Sequence, residues 1–447
     1  MPEHTTRTAE APPPHAHLWP LTARVGPDGH LRLCGLDVAL LAREHGTPLY
    51  LYDEETIRAH CRAFRRAFEA RWPRTAVAYA GKAYLSLALC RILREEGLEL
   101  DAVSAGEAGV ALAAGYPPAQ IHLHGNVKPD AELEVALGAG VGRIVVDSLD
   151  ELARLEQLAR TRRQRVAIWL RLCPDVPTET HTYIQTGHAT SKFGMTSDAL
   201  IEASRRALAS PWLDLVGLHA HVGSQLFDMA PLIRVVTILG ETAAELRDMG
   251  ADIREISPGG GLGVAYTAEQ RAPEIEQYAD AVTGVLLEVC ERRDLAPPRL
   301  IVEPGRALVA RAGVALYTVG PRKVTPGGAS LVAVDGGLGD NPRPALYQAR
   351  YSAGLAERMG EPAAETVSVV GRYCESGDVL IADAPLPRTC AGDILAVPVS
   401  GAYQLPMASN YNMVFRPPVV FVRDGWARLV RRRETLEDLL RLELGED

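Results

Sequence analysis

The chain has 447 residues, a formal net charge of −9, 47% hydrophobic and 23% charged residues. That composition sits near the globular norm and excludes a largely disordered chain, and the acidic balance excludes the basic footprint of a nucleic-acid binder. No apolar run approaches the roughly 20 residues of a membrane span, and the length predicts two to three domains.

In chain order, residues 1–17 are rich in Thr, Pro, His and Ala and read as a disordered tail. Residues 18–53 read as β: 21–25, a Gly26-Pro27-Asp28-Gly29 turn, 31–33 and 48–52. An isolated hairpin is marginal at best, so this segment is expected to join a larger sheet. Over 54–310, eight β-like runs alternate with amphipathic helical runs: 75–80, 100–104, 121–124, 143–147, 166–172, 215–221, 255–257 and 300–303. Several are near-continuous apolar runs, as buried parallel strands require. The alternation predicts an α/β, TIM-like (β/α)8 barrel, with an open doubly wound sheet as the rival architecture. From 311 to 447 the texture becomes all-β: 330–334, 365–370, 379–382, 394–398 and 419–422, punctuated by Ser376-Gly377-Asp378 and Ala391-Gly392-Asp393 turns, with helix returning at 435–444. The expected architecture is therefore a barrel inserted between two β pieces, the N-terminal strands completing a C-terminal β-barrel or sandwich.

Seven cysteines are scattered and show no C-x-x-C spacing. That argues against a disulfide framework or a structural zinc site, and points to the reducing cytoplasm.

The unusual polar residues fall at the C-terminal ends of the barrel strands, the face where barrel active sites lie. Strand one ends in Tyr79-Ala80-Gly81-Lys82-Ala83, and strand six in His219-Ala220-His221-Val222-Gly223-Ser224-Gln225. Strand seven ends in Pro258-Gly259-Gly260-Gly261 and strand eight in Glu303-Pro304-Gly305-Arg306. Each has a bland reading: a solvated loop lysine, a core histidine, a plain turn, a surface ion pair worth under about 1 kcal/mol. Together they suit pyridoxal 5′-phosphate. A lysine amine can condense with its aldehyde. Glycine N–H groups at 259, 260 and 261 can approach a phosphate with no Cβ between. Ser224 and Arg306 can add hydrogen bonds, and Glu303 can hold a proton on the pyridine nitrogen.

These motifs resemble the alanine-racemase-fold, pyridoxal-phosphate-dependent amino-acid decarboxylases, and within them the branch that acts on diaminopimelate. The resemblance runs from about residue 20 to the C-terminus. It implies that Lys82 anchors the cofactor, that His221 stacks on its ring, and that Ser224, Gly259, Gly260, Gly261, Glu303, Gly305, Arg306 and Tyr403 complete the cofactor site. It also implies that Arg306, Arg343, Tyr347, Glu375 and Tyr403 bind substrate. Cys374, in Cys374-Glu375-Ser376-Gly377-Asp378, is the implied proton donor, inserted from the partner subunit of a homodimer. Gly401-Ala402-Tyr403, Ser409-Asn410-Tyr411-Asn412, Thr186-Gly187-His188 and Ser191-Lys192-Phe193-Gly194 also match the branch. Departures occur at Val127, Pro129, Arg372-Tyr373 and Phe415, none of them a cofactor group. The implied reaction converts meso-2,6-diaminopimelate to L-lysine and carbon dioxide, the last step of lysine biosynthesis. It would involve no metal, nucleic acid or membrane.

Other readings remain at the sequence level. Ornithine, arginine or lysine could be the substrate on the same fold. His219-Ala220-His221 is an H-x-H pattern that could serve a metal-dependent barrel hydrolase, with His122 and His124 as further ligands. A non-catalytic homologue would be expected to lose Lys82 or Cys374, which this chain keeps.

Overall fold

A computed structural model describes residues 10–176 and 191–445. The chain divides into two compact units. One comprises Arg58–Gly263 and Ala272–Leu308; the other comprises residues up to Ile57, Val264–Arg271 and the chain from Val309 onward.

The first unit is a closed barrel of eight parallel strands. They are Thr75–Ala80, Glu99–Ala102, Ile121–Leu123, Arg143–Val146, Val166–Arg171, Leu213–His219, Glu255–Gly259 and Arg299–Val302. Closure is direct, with Leu300 paired to Thr75 and Val302 to Val77, which settles barrel over open sheet. Ala78, Val145, Trp169, Val216 and Ile301, one from each of five strands, pack into a single buried cluster. Four of the helices that follow strands start on a hydroxyl cap. Ser86, Ser104, Ser148 and Thr196 each accept the N–H three residues on, worth about 1 kcal/mol apiece.

The opposite, N-terminal rim is tied by charge. Glu255 accepts from Arg143 Nε at 2.6 Å, Arg143 Nη2 at 2.7 Å and Trp169 Nε1 at 2.7 Å. Glu99 pairs with His122 at 3.0 Å and with Arg299. His122 thus belongs to this rim, away from the strand ends that carry the other polar residues.

The second unit is built on a mixed sheet. Its order is Val379–Leu386, Glu365–Val370, Ser330–Val334, Gly313–Val324, Leu49–Asp53, Val419–Arg423, Trp426–Arg431, with Ile394–Val397 branching from Gly313–Val324 and pairing Gly354–Leu355. The five strands expected after residue 310 are present. The 12-residue strand Gly313–Val324, the spine of the sheet, has no counterpart in the sequence reading. Its far end, Arg322–Lys323, is exposed and charged, so no apolar run marks it.

Four expectations need correction. Only Leu49–Asp53 joins the large sheet, wholly buried between Gly313–Val324 and Val419–Arg423. The hairpin before it, Arg24–Val25 and Leu31–Leu33, forms a small sheet of its own with Leu36–Asp37. Backbone bonds Leu31 N–H to Ala356 O (2.7 Å) and Met359 N–H to Gly29 O (3.0 Å) anchor it instead. Residues 10–17 are not a disordered tail. Ala11 and Val25 exchange two backbone bonds, and a helical turn at Ala16–Leu18 leads into buried Leu18 and Trp19. Arg311 Nε locks that turn by donating to Trp19 O at 2.6 Å. Two apolar side chains outweigh a polar composition here. Finally, Val264–Arg271 clusters with the β unit although it interrupts barrel sequence. The predicted helix at 435–444 shortens to Leu436–Leu440, opened by a Thr435–Asp438 capping box.

Candidate active site

At the C-terminal end of the barrel, seven strands deliver buried or half-buried polar groups. After the first strand, a single turn Gly81–Ala83 carries the exposed Lys82. Tyr79 pins this turn through its hydroxyl, which donates to Tyr84 O at 2.6 Å. Gly81 must be glycine-sized, since a Cβ there would lie 3.0 Å from Asp101 O. Gly305 fits against the same turn, where a Cβ would stand 3.0 Å from both Ala80 and Ala83. Strand eight and strand one therefore present Arg306 and Lys82 from adjoining turns, both turns too tight for side chains.

Glu303 is the centre of the buried chemistry. Ser257 Oγ donates to its Oε1 at 2.7 Å, and His219 Nε2 lies 3.1 Å from its Oε2. His124 Nε2 sits 3.6 Å from Glu303 Oε1 and 3.6 Å from Asp101 Oδ1. Burial alone would raise the Glu303 carboxyl. The His219 and His124 imidazoles, with hydrogen bonds from His219 and Ser257, outweigh it and hold Glu303 well below the usual carboxylate range. Asp101 goes the other way, because burial and then the Glu303 charge push it well above. Of the two carboxyls, Glu303 carries the charge and Asp101 the proton. Burial is the largest influence on the imidazoles of His124, His219 and His221 and lowers all three.

The glycine run does two jobs. Gly259 and Gly261 have φ of +74° and +113°, open to glycine and strained for other residues. A Cβ on Gly260 would lie 2.1 Å from Glu303 O, and one on Gly259 2.5 Å from His221 Nδ1. The run thus packs bare backbone against strands six and eight. It offers less to a phosphate than the sequence suggests. Gly259 N–H donates to Ser257 Oγ at 3.2 Å and Gly260 N–H to His221 Nδ1 at 3.3 Å. The second bond fixes the His221 tautomer, with the proton on Nε2. Ser224 is half-buried in the turn after strand six.

Four groups here escaped the sequence reading: Asp101, Asp147, Arg171 and Ser257. Asp147 Oδ2 accepts Gly194 N–H at 3.0 Å, and Arg171 stacks over Phe193 at 4.5 Å while lying 3.5 Å from Asp147. Each ends or closely follows a barrel strand. Reading all eight strand ends for buried polar residues, instead of the four with glycine or lysine motifs, would have found them. Of the branch motifs, Ser191–Gly194 is thus seated on this face, while Thr186-Gly187-His188 lies outside the described residues.

The remaining candidates, Arg343, Tyr347, Cys374, Glu375 and Tyr403, lie in the β unit. Arg343 begins the short helix Arg343–Tyr347 and is buried, its guanidinium 4.8 Å over the Tyr266 ring and donating to Tyr351. Cys374 is exposed, its N–H donating to Asn412 Oδ1 at 3.0 Å. Glu375 accepts from Tyr411 at 2.6 Å. Tyr373 and Tyr411 stack at 6.2 Å. Tyr403 is half-buried at φ +60°.

A family model described as the pyridoxal-dependent decarboxylase, pyridoxal binding domain, matches residues 54–310. The chain belongs to that family of pyridoxal-phosphate enzymes. Among its curated relatives is the diaminopimelate decarboxylase of Actinosynnema pretiosum subsp. auranticum, 46% identical over 96% of this chain and 95% of that protein. The diaminopimelate decarboxylase of Bacillus subtilis (strain 168) is 43% identical over 95% of this chain and 97% of that protein. A solved structure of diaminopimelate decarboxylase from M. jannaschii in complex with L-lysine superposes with a TM-score of 0.89. It is 34% identical, covering 95% of this chain and 98% of that one.

The residues present fit the cofactor. An ionised, buried Glu303 is a partner for a cationic ring nitrogen. Asp101 Oδ1, His124 Nε2 and His219 Nδ1 have no hydrogen-bond partner among the described residues, buried polar atoms that a polar guest can satisfy. Of the histidines in the H-x-H reading, His122 pairs with Glu99 on the opposite rim and His221 Nδ1 accepts from Gly260, while His124 and His219 converge on Glu303.

Proposed function

We propose that this enzyme decarboxylates meso-2,6-diaminopimelate at its D-centre, releasing carbon dioxide and L-lysine. The observation that carries the reading is the near-full-length identity of 40–46% to several diaminopimelate decarboxylases, combined with a barrel end that keeps every cofactor motif.

Bound pyridoxal phosphate supplies an electron sink for the pair left on the α-carbon when the carboxylate departs. Lys82 is the amine that would hold the cofactor by its aldehyde. Glu303, kept ionised by His219 and Ser257, holds the proton on the ring nitrogen. A charge-assisted bond of that kind contributes about 1.5–3 kcal/mol. His221, locked as the Nε2–H tautomer, lies against the ring face. Ser224, Gly261, Gly305, Arg306 and Tyr403 bind the phosphate. Arg306, Arg343, Tyr347, Glu375 and Tyr403 serve the substrate's carboxylates and distal amine. Cys374 returns a proton to the α-carbon, with Lys82 the second candidate for that transfer.

The exposed Cys374-Glu375 loop belongs to the β unit, and the reading has it complete the site of the partner subunit in a C2 homodimer. No described helix is long and apolar enough to cross a membrane. All seven cysteines are free thiols, which suits a reducing cytoplasm.

Carbon dioxide release from a panel of meso-diaminopimelate, lysine, ornithine and arginine tests the substrate. Release from meso-diaminopimelate at least a hundredfold faster than from the others is expected. Faster release from any of the other three overturns the assignment.

A further inference from the structure

The β unit contains a buried carboxylate outside every motif assigned above. Asp340 is 1% exposed and receives bonds from three separate segments. Gly337 N–H donates to its Oδ1 at 2.8 Å, Tyr317 Oη to its Oδ2 at 2.7 Å, and Tyr50 Oη lies 3.0 Å from the same Oδ2. Tyr50 is on the central strand Leu49–Asp53 and Tyr317 on the spine strand Gly313–Val324. The turn between Asp335 and Asp340 has no slack. A Cβ on Gly336 would meet the Tyr317 ring at 2.2 Å, and one on Gly339 the Tyr373 hydroxyl at 2.2 Å. Arg343 starts its helix three residues beyond Asp340. On the other side, Tyr50 Oη is 2.9 Å from Gln404 Oε1, and Gln404 is wholly buried next to Tyr403.

We propose that Asp340 is a positioning residue that fixes the mutual placement of Arg343 and Tyr403, by joining the glycine turn before one to the loop that carries the other. It rests on the reading above that these two side chains serve substrate and phosphate.

The proton inventory makes the coupling specific. Tyr50 has one proton and four oxygens in reach, Gln404 Oε1 at 2.9 Å, Asp340 Oδ2 at 3.0 Å, Asp340 O at 3.2 Å and Tyr317 Oη at 3.4 Å, of which the first two are nearest. When Asp340 is protonated it donates to Tyr50, and Tyr50 donates to Gln404. When Asp340 is ionised, Tyr50 turns its proton to the carboxylate, and Gln404 is served only by turning its amide, whose Nε2 lies 3.3 Å from Ser400 Oγ. Burial, opposed by the bonds from Tyr317, Gly337 and Tyr50, moves this carboxyl up to about 6. The other titratable groups facing it are Asp378, Tyr373 and Arg433.

Asp340→Ala and Asp340→Asn test the proposal on the holoenzyme. Asparagine can accept from Gly337 and donate to a tyrosine, so it keeps the join without the charge. Asp340→Ala is expected to raise KM for meso-diaminopimelate at least tenfold with kcat within threefold. Asp340→Asn is expected to keep KM within threefold at pH 8 and to lose an inflection of KM near pH 6 that wild type shows. Amide hydrogen exchange reads the placement without turnover. Peptides over 336–347 and 400–407 should exchange faster in Asp340→Ala and at the wild-type rate in Asp340→Asn, with 365–370 unchanged in both. Unchanged exchange in Asp340→Ala, or an inflection retained in Asp340→Asn, overturns the proposal. If alanine prevents folding, the asparagine profile decides alone. A wild type that decarboxylates a different amino acid sinks the substrate reading and leaves the exchange result standing on its own.

Discussion

Single residues at the barrel end are held by backbone crowding as much as by chemistry, and this is where substitutions should separate sharply. Gly260→Ala places a Cβ 2.1 Å from a backbone oxygen of Glu303, which no rotamer change relieves. A loss of about 3 kcal/mol or more is expected, with cofactor no longer retained on gel filtration. Gly284, exposed in the helix Ile275–Arg293 with nothing within 4 Å of its Cβ position, is the control. Gly284→Ala should stabilise by up to about 1 kcal/mol, read from the urea midpoint. Asp101 yields a pH prediction. Its folded carboxyl lies above the unfolded value, so the folded state holds a proton that the unfolded chain releases. The resulting stability is present below the unfolded value and lost as pH rises through the folded one. Asp101→Asn should therefore gain in melting temperature relative to wild type at pH 8 compared with pH 4. A gap that shrinks as pH rises would contradict the direction of the shift. The residues proposed for the cofactor stand out in the sequence because lysine, glycine and glutamate there fall at strand ends in short motifs, and the structure brings Glu303, His219 and the glycine run together. Asp101 and Ser257 do not stand out, because each is a lone polar residue inside a short barrel strand, Glu99–Ala102 and Glu255–Gly259, with no motif around it.

Among the elements, the two rims of the barrel divide labour. The C-terminal rim carries the groups proposed to bind cofactor and substrate, whereas the N-terminal rim is a hydrogen-bonded network over Glu255, Arg143, Trp169, Arg299, Glu99 and His122. Glu255→Ala strands a guanidinium and an indole N–H, an uncompensated loss of about 3 kcal/mol. It should lower the unfolding midpoint and leave kcat within twofold, because none of these side chains reaches the catalytic end. A tenfold fall in kcat in the folded fraction would contradict that division. The eight barrel strands were readable from near-continuous apolar runs, and their ends fall within two residues of expectation. The spine strand Gly313–Val324 was missed although 313–319 is a largely buried apolar run; its last four residues, 321–324, are exposed and include Arg322 and Lys323. The small N-terminal sheet was misplaced because two- and three-residue strands carry no register information beyond their turns.

For the whole molecule, the proposal places cofactor chemistry in the barrel unit and Cys374 and Glu375 in the β unit of a second copy. Mixing Lys82→Ala with Cys374→Ala protomers, each inactive alone, should restore up to about a quarter of wild-type activity once subunits exchange, since one site in half of the dimers is intact. No rescue, with exchange demonstrated by mass, would contradict a shared site. Domain organisation was legible from the change of texture at residue 310, but the return of Val264–Arg271 to the β unit was not.

The most direct measurement is chiral analysis of the amino acid that forms from meso-diaminopimelate, with wild type and Lys82→Ala side by side. L-lysine from wild type, with none above background from the variant, is the predicted result. D-lysine, no lysine, or lysine formed equally fast by Lys82→Ala would contradict the account.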